Sequence, residues 1–410
     1  MKKFNVGVIG LGNRGGWWAA YLLPKLDYIN IVGLCDVYQD RIDNIKNQIV
    51  DAGYDAPTVL TTDYRELIEA KEVDVVLVFS AWNNHIESCI HAMNMKKPVG
   101  IEVGGAYSVE QCWELVRTYQ KTKTPFMLLE NCCYGEFELM ALEMAKKGLF
   151  GDIVHCDGSY AHDLRDEITR GNETRHYRFN EYQFRNCENY PTHEIGPIAN
   201  VLNINNGNRF ESLVSVSSCS RGLHQYIMDH DDLKEKYADV QFKQGDIVST
   251  TIKCANGETV SITLDTCLPR YYSRNFTVRG TKGMYEDTTQ SFYIEDEEYT
   301  DYEAKKFANR DEFKEKWSHP IWKRYNEEGI KKLGRVGHDG MDFLVIDAFF
   351  EALANDLPMP IDVYDAATWM VITALSAKSI ALGSQPVEFP DFTEGKWQQK
   401  KEKPDWKYKF

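Results

Sequence analysis

The sequence predicts a two-domain α/β protein: an N-terminal domain on a parallel sheet, then an α+β domain on a largely antiparallel open sheet. Short apolar runs alternate with helical patterns through the first part of the chain, as β-α-β units require. From Gly151 onward, candidate strands alternate apolar and polar residues instead. The 410 residues suffice for two cores, and we place the domains at residues 1–128 and 129–410.

The first domain opens with the apolar run Phe4–Ile9, which is typical of a buried parallel strand. A glycine-rich turn follows, and then a helix predicted over Trp17–Leu23 and stopped near Pro24. The same criteria predict further strands at Ile29–Cys35, Val73–Phe79, Pro98–Val103 and Phe126–Leu129, with helices at Arg41–Ala52, Ile86–Met95 and Val109–Lys121.

Three glycines with the spacing G-x-G-x-x-G lie between the first strand and the first helix. Gly10 permits a tight turn, Gly12 lets a pyrophosphate approach the backbone, and Gly15 lets helix and strand pack closely. Asp36 ends the second strand, where a carboxylate can accept hydrogen bonds from an adenosine ribose and repel a 2′-phosphate. These features predict a Rossmann domain that binds NAD, with NADP left open by the nearby Arg41.

Two more segments follow strands at the edge of the sheet where ligands bind in such folds. Glu102 and Val103 end the fourth strand, and Glu102 could hold the nicotinamide ribose. The third strand is followed by Trp82, Asn83, Asn84 and His85. Trp82 could lie against the nicotinamide, with a core aromatic as the alternative. For His85 the alternative is a residue at the start of a helix.

The second domain shows strand patterns and a strong hairpin turn at Asn256-Gly257. The strands are predicted at Ile153–Tyr160, Leu213–Ser220, Ile247–Cys254, Thr259–Asp265 and Asn275–Gly280. Helices are predicted at His338–Leu353 and Val363–Leu382, and the aromatic and charged tail Phe389–Phe410 is predicted to wrap the surface. The charged stretches 229–237 and 295–298 read as solvated surface.

Composition excludes several classes of function. The net charge of -15 repels nucleic acid and anionic membranes and suits a neutral substrate. No apolar run reaches the length of a membrane helix, and the N-terminus does not read as a secretory signal. Ten cysteines without a CxxC pair predict reduced thiols in a cytoplasm. No metal site is predicted, since His155, Cys156 and Asp157 are consecutive and cannot face one ion.

The Rossmann start, the segment Trp82–His85 and the following mixed domain resemble the glucose-fructose oxidoreductase / inositol dehydrogenase / MocA family. Within that family, segments spread over nearly the whole chain look like glycoside hydrolase family 109. They are Glu130–Gly135, Tyr160–Arg165, Tyr190–His193, Arg270–Arg274, Gly337–Asp342 and Asp362–Ala367. The resemblance implies an NAD-dependent α-N-acetylgalactosaminidase and a homo-oligomer.

The resemblance also implies site residues. Cofactor contacts are implied for Asn13, Arg14, Asp36, Trp82, Asn83, Asn84, His85, Glu102, Val103, Asn131 and Tyr190. Substrate contacts are implied for Tyr160, Arg178, Tyr190, Pro191, Thr192, His193 and Tyr272. Two departures put the substrate in question. The usual dehydrogenase pattern Glu-Lys-Pro reads Glu102-Val103-Gly104, so the catalytic lysine is missing, and Glu194 replaces a small residue.

The predicted chemistry needs bases beside a sugar. Tyr190 and His193 are three residues apart, and either could remove the hydroxyl proton while the C3 hydrogen leaves as hydride. The C3 ketone makes the C2 proton acidic, so a second base allows elimination of the C1 substituent. Addition of water and re-reduction then complete a hydrolysis. Glu130 is a further acid or base candidate, with an exposed loop carboxylate as the alternative. For Tyr190–His193, the structural alternative is a helix start capped by Thr192.

The leading function is therefore an NAD-dependent glycosidase acting on a small carbohydrate. The alternative is an NAD-dependent sugar or cyclitol dehydrogenase or epimerase on the same scaffold. A third class, a non-catalytic sensor of NAD and sugar, would leave Tyr190, His193 and Glu130 without a task.

Overall fold

A computed structural model describes residues 2–295, 307–329, 334, 336–400 and 404–410. Its residues form two compact units. The first comprises Met1–Asn131, Arg324–Ala367 and Glu402–Lys409, and the second comprises Cys132–Lys323, Thr368–Lys401 and Phe410. The first break follows Asn131, near the predicted boundary after residue 128, but two later segments return to the first unit.

Fourteen strands lie in the described part of the chain. They are β1 Phe4–Ile9, β2 Ile29–Cys35, β3 Val59–Thr61, β4 Val75–Val78, β5 Val99–Ile101, β6 Phe126–Leu128, β7 Ile153–Ala161, β8 Phe210–Ser217, β9 Ile247–Cys254, β10 Thr259–Asp265, β11 Thr277–Gly280, β12 Gly283–Glu286, β13 Ser291–Ile294 and β14 Val387–Glu388.

Sixteen α-helices accompany these strands within the same described ranges. They are α1 Asn13–Trp17, α2 Gln39–Asp51, α3 Tyr64–Glu69, α4 Trp82–Asn94, α5 Val109–Thr122, α6 Glu136–Lys146, α7 Arg165–Thr169, α8 Gly171–Thr174, α9 Arg178–Phe184, α10 Thr192–Val201, α11 Gly222–Met228, α12 Asp231–Tyr237, α13 Lys314–Trp317, α14 Pro320–Arg324, α15 Met341–Ala354 and α16 Val363–Ala381. Shorter 3₁₀ or π turns occupy Trp18–Leu22, Leu23–Lys25, Asn131–Tyr134, Arg310–Phe313, Tyr325–Gly329, His338–Gly340 and Lys396–Gln398. No helix in the described ranges is both long enough and apolar enough to cross a membrane.

The first unit contains a parallel sheet in the order β3-β2-β1-β4-β5-β6. This is the strand order of a dinucleotide-binding Rossmann sheet, so the predicted fold of this part is confirmed. Its central strands are buried on both faces, which explains why they read as continuous apolar runs. In α2, Ile42, Ile45 and Ile49 supply the buried face, and Ser108 caps α5 by accepting a hydrogen bond from the backbone N–H of Gln111 at 3.2 Å.

The second unit contains an eight-stranded sheet in the order β13-β12-β11-β7-β10-β9-β8-β14. All neighbours are antiparallel except β7 and β10, which run parallel. The predicted largely antiparallel sheet is confirmed. In β9 and β10, buried and less buried residues alternate, so one face of these strands lies on the core.

Several local predictions differ from the structure. The strands β3, β12, β13 and β14 were not predicted, because they have two to four residues, too few to show a period. The helices that were not predicted are α3, α6, α7, α8, α9, α11, α13 and α14. Most described residues of the tail are exposed or half-buried, while Phe389, Phe392, Tyr408 and Phe410 are buried and anchor it. The charged stretch at 295–298 lies, apart from Glu295, outside the described residues.

Candidate active site

The glycine turn after β1 has the geometry that its sequence predicts. Gly10 has φ +88°, and a Cβ there would lie 2.5 Å from the backbone nitrogen of Ser80. A Cβ at Gly15 would collide with the carbonyl oxygen of Gly10, so this position also requires glycine. At Gly12, by contrast, the nearest atom is Arg41 Nη1 at 3.7 Å. The space in front of Gly12 is therefore open to an approaching phosphate, and the turn fits a dinucleotide.

Asp36 joins the end of β2 to this glycine turn. Its Oδ2 accepts a hydrogen bond from the backbone N–H of Leu11 at 2.7 Å, and its Oδ1 accepts one from the backbone N–H of Tyr38 at 3.0 Å. Arg41 Nη1 lies 3.6 Å from Oδ2. Each carboxylate oxygen has a second lone pair, so Asp36 can still accept hydrogen bonds from ribose hydroxyls.

Arg14 and Asn131 both bind Asp342, a residue to which the sequence analysis assigned no role. Arg14 binds Asp342 in a bidentate manner, with N–O distances of 2.6 and 2.7 Å, and Asn131 Nδ2 donates to Asp342 Oδ1 at 2.8 Å. His338 Nδ1 lies 2.9 Å from Asp342 Oδ2, and Arg14 Nε is 3.4 Å from Glu102 Oε2. Three of the predicted cofactor residues are thus tied into one network in the first unit.

The carboxyl group of Asp342 is completely buried. Burial alone would raise its pKa, but hydrogen bonds from His338 and Arg14 and the charge of Arg14 hold that pKa well below its usual range. Asp342 is therefore ionised and orients Arg14. The only sequence signal for it was its place in the segment Gly337–Asp342.

The predicted loop Trp82–His85 is the first turn of α4, because Ala81 is the N-cap residue. Trp82 is buried, and a Cβ at Gly104 would collide with its indole ring. Gly104 thus makes room for Trp82 where the usual pattern has proline, and nothing in the structure explains Val103 in place of the lysine. Val103, which precedes Gly104, is buried, and Asn83 is exposed.

His85 is buried in the same turn. Its Nε2 lies 2.6 Å from the carbonyl oxygen of Ser80, and burial lowers the pKa of His85 to about 4. The ring is therefore neutral and donates this hydrogen bond, which fixes the start of α4. Its cofactor contact stays a prediction, as does that of Asn84.

Glu130 follows β6 in the first unit and is fully buried. The alternative of an exposed loop carboxylate is therefore wrong for this residue. A buried carboxyl at a strand end suits an acid or base better than a solvated one does.

The second unit gathers most of the predicted substrate residues around Tyr160, at the end of β7. The ring centroids of Tyr160 and Tyr190 are 4.3 Å apart, and His193 lies 5.6 Å from Tyr160 and 4.9 Å from Tyr190. His162 is 6.2 Å from Tyr160 and 5.4 Å from Tyr272, so Tyr272 belongs to the same group. We call Tyr160, His162, Tyr190, His193 and Tyr272 the aromatic cluster.

Arg178 supplies a positive charge to this cluster. It is buried, forms an ion pair with Glu167, and its guanidinium carbon lies 5.3 Å from the centre of the Tyr190 ring. Burial raises the pKa of Tyr160, and the charge of Arg178 opposes that rise. Burial and Arg178 both lower the pKa of His162, which is therefore neutral at neutral pH.

The segment that carries Tyr190 and His193 enters α10 as predicted. The N-cap residue is Pro191, however, and Thr192 is the first helical residue, so the predicted cap by Thr192 is wrong. Thr192 and Pro191 are buried, and the hydroxyl of Thr192 has no hydrogen-bond partner among the residues that the structure describes. Both residues place Tyr190 and His193, and their contact with substrate stays a prediction.

Comparisons with known proteins agree with this two-part organisation. Residues 4–129 match the family model "Oxidoreductase family, NAD-binding Rossmann fold", and residues 134–399 match "Glycosyl hydrolase 109, C-terminal domain". A glycosyl hydrolase family 109 protein of Stenotrophomonas maltophilia (strain K279a) is 37% identical over 98% of this chain and 91% of that protein. An alpha-N-acetylgalactosaminidase of Tannerella forsythia is 38% identical over 90% of this chain and 81% of that protein.

Solved structures show the same fold at low identity. A levoglucosan dehydrogenase in complex with NADH and levoglucosan has a TM-score of 0.68 and 18% identity, covering 95% of this chain and 100% of that one. A scyllo-inositol dehydrogenase of Lactobacillus casei with bound NAD(H) and scyllo-inositol has a TM-score of 0.64 and 14% identity, covering 94% of this chain and 99% of that one. The sequence matches span nearly the whole chain, and the chain is an enzyme that belongs to glycosyl hydrolase family 109, with an NAD-binding Rossmann domain at its N-terminus.

Proposed function

We propose that this enzyme hydrolyses an α-N-acetylgalactosaminide, or a closely related glycoside, and uses NAD in each turnover. The observation that carries this proposal is the aromatic cluster beside the buried Arg178, which gathers proton-transferring groups in the unit that matches the hydrolase family. The choice of sugar in this proposal is supported by relatives named alpha-N-acetylgalactosaminidase.

The first unit offers a site that fits NAD. The open space at Gly12 accommodates a pyrophosphate, and Asp36 can hold a ribose. Because the Asp36 carboxylate would repel a 2′-phosphate, we infer that the site prefers NAD to NADP. Arg14 and Asn131, fixed by Asp342, would complete it. Bound NAD supplies reversible hydride transfer with a sugar carbon.

The second unit offers the proton transfers. A C3 hydroxyl must lose its proton before its C–H bond can break, and Tyr190 or His193 is the base that we assign to this task. Arg178 lies beside this pair, with its guanidinium carbon 5.3 Å from the centre of the Tyr190 ring. The acidified C2 proton needs a second base, for which the remaining member of that pair and Glu130 are the candidates. The roles within this set stay open.

A panel of nitrophenyl glycosides tests the function, with aglycone release and NADH absorbance followed together. The proposal expects release from the α-N-acetylgalactosaminide without build-up of NADH, because the hydride returns to the sugar. Accumulation of NADH with a free sugar or cyclitol, without aglycone release, would instead make the enzyme a dehydrogenase. Neither signal with any member of the panel would contradict both assignments.

A further inference from the structure

Two buried glutamates flank the Tyr190–His193 segment in the sequence, and the proposed chemistry does not use them. Glu188 precedes Tyr190 by two residues, and Glu194 follows His193 directly. The exposed fractions of Glu188 and Glu194 are 0% and 2%. The two carboxyl groups interact with each other. Among the described residues, Oε2 of Glu188 and both oxygens of Glu194 have no hydrogen-bond partner of normal geometry. Two charged carboxylates in this setting would be very unfavourable.

Both glutamates are attached to the backbone that carries the cluster. Glu188 Oε1 accepts a hydrogen bond from the backbone N–H of Tyr190 at 3.2 Å, and the backbone N–H of Glu188 donates to Ser376 Oγ at 2.9 Å. Glu194 lies in the first turn of α10. The carboxyl of Glu188 therefore fixes the chain directly at Tyr190.

A glycine in β7 lets the first turn of α10 approach the sheet closely. A Cβ at Gly158 would lie 3.1 Å from the carbonyl oxygen of Glu194 and 3.2 Å from its Cβ. This close approach places the backbone at Glu194 directly against β7, so the glutamate side chain begins at a buried position.

The electrostatics of the two carboxyls follow from this burial. Burial raises the pKa of Glu188 to about 8, against an ordinary value of 4.5. Burial, and next the charge of Glu188, raise the pKa of Glu194 well above its usual range. The groups facing the pair belong to the backbone of Tyr160 in β7, of Thr263 and Leu264 in β10, and of Tyr190.

We propose that Glu188 and Glu194 form a carboxyl pair that retains a proton at neutral pH and holds Tyr190 and His193 in the arrangement that proton transfer at the sugar requires. This inference rests on the proposed function for its catalytic consequence, although not for the proton itself. Both glutamates are positioning residues, since they act through the backbone of the segment. Full ionisation of the pair places two like charges in a buried space and displaces the segment.

The sign of the pH effect follows from the raised pKa values. Between about pH 4.5 and 8, the unfolded chain has lost protons that the folded chain retains. The free energy of unfolding should therefore fall as the pH rises through this window. Glu194→Gln and Glu188→Gln keep the side-chain shape but remove a titrating group, and Glu235→Gln on the exposed face of α12 is the matched control.

Three measurements on the intact protein test the proposal. Infrared difference spectra should show the C=O stretch of a buried neutral carboxyl at neutral pH in the wild type and the control, and should lose or shift it in Glu194→Gln or Glu188→Gln. Urea unfolding should show a weaker pH dependence in those two variants. In the same two variants, the alkaline limb of the pH profile of kcat should move by about one pH unit or more relative to the wild type, with KM little changed.

The outcomes separate the two proposals. A buried-acid band without aglycone release would leave the carboxyl pair standing and remove the proposed function. Absence of the band, together with equal pH dependence of unfolding in wild type and both variants, would overturn the pair. An unchanged kcat profile despite the band would overturn its positioning role. Should Glu194→Gln fail to fold, Glu188→Gln reports on the same proton.

Discussion

Asp36 performs a structural task and offers a cofactor contact with the same carboxylate. It holds the glycine turn through the backbone N–H of Leu11 and faces Arg41. Its oxygens keep lone pairs for ribose hydroxyls, while its charge opposes a 2′-phosphate. The two cofactors should therefore respond differently to its removal.

Replacement of Asp36 by Ala should weaken NAD binding by about 1.5–3 kcal/mol, the contribution of hydrogen bonds to a charged group. NADP binding should change much less, because the repulsion of its phosphate is removed at the same time. Titration calorimetry with both dinucleotides measures the difference. Equal losses for NAD and NADP would reject the ribose assignment.

Tyr190 and His193 carry the proposed proton transfers. Tyr190→Phe and His193→Ala should each lower kcat by about 10²–10⁴-fold, the usual contribution of a general acid or base. The dinucleotide content of the purified protein should stay unchanged, because Tyr190→Phe keeps the aromatic ring and the task proposed for both residues is proton transfer at the sugar. Tyr271→Phe, an exposed tyrosine, is the control. Wild-type turnover in both active-site variants would place the chemistry elsewhere.

Some residues of the site could be identified from the sequence, and others could not. Gly10, Gly15 and Asp36 were found because their roles follow from a local pattern of strand, turn and helix. Asp342 received no role, since its partner Arg14 lies 328 residues away in the chain. Glu194 was noticed as a departure, but its burial could not be seen without the packing of α10 on β7.

At the scale of elements, the turn His338–Gly340 and the start of α15 support the Rossmann unit. Asp342 lies in the first turn of α15 and receives Arg14, Asn131 and His338. Phe350 of the same helix packs on Phe4 of β1 with 5.3 Å between the ring centroids. A late segment of the chain thus completes the cofactor side of the first unit.

Asp342→Asn should destabilise the protein by about 3 kcal/mol, because it leaves a partly buried arginine without its carboxylate. Urea unfolding at neutral pH measures this loss, and NAD affinity should fall with it as Arg14 loses its orientation. Asp339→Asn, on an exposed residue of the preceding turn, is the control and should change little.

The pH dependence of this variant has a defined sign. The pKa of Asp342 is depressed in the folded protein, so its stabilisation is complete above the ordinary value of 3.8 and is lost as the pH falls below it. The difference between wild type and Asp342→Asn should therefore shrink at low pH. A difference that is independent of pH down to acid unfolding would contradict the ion-pair explanation.

Strands could be predicted well where a clear hydrophobic pattern extends over six or more residues. The bounds of β1, β2, β9 and β10 agree with the sequence prediction, since each has six to eight residues with a clear pattern. The start of α4 was placed too late because Trp82 to His85 show no helical period, and their helical state depends on the strand before them.

At the scale of the whole chain, the sequence predicted an N-terminal Rossmann part and a later mixed sheet, and both are present. It did not predict that Arg324–Ala367 and Glu402–Lys409 would return to the first unit. The return depends on contacts between distant residues, such as Lys407 with Asp347 at 2.8 Å and Tyr28 with Asp347 at 2.6 Å. No local pattern carries that information.

We expect the glycoside to be cleaved through oxidation at C3 and loss of the C2 proton, and hydrolysis in D₂O distinguishes this route from others. A proton held by a protein base can exchange with solvent, whereas the hydride does not. Deuterium should therefore appear at C2 of the released sugar, and a label placed at C3 should be retained. A glycosidase that uses two carboxylates breaks neither C–H bond. Aglycone release in D₂O with a wholly unlabelled C2 would rule out oxidation at C3.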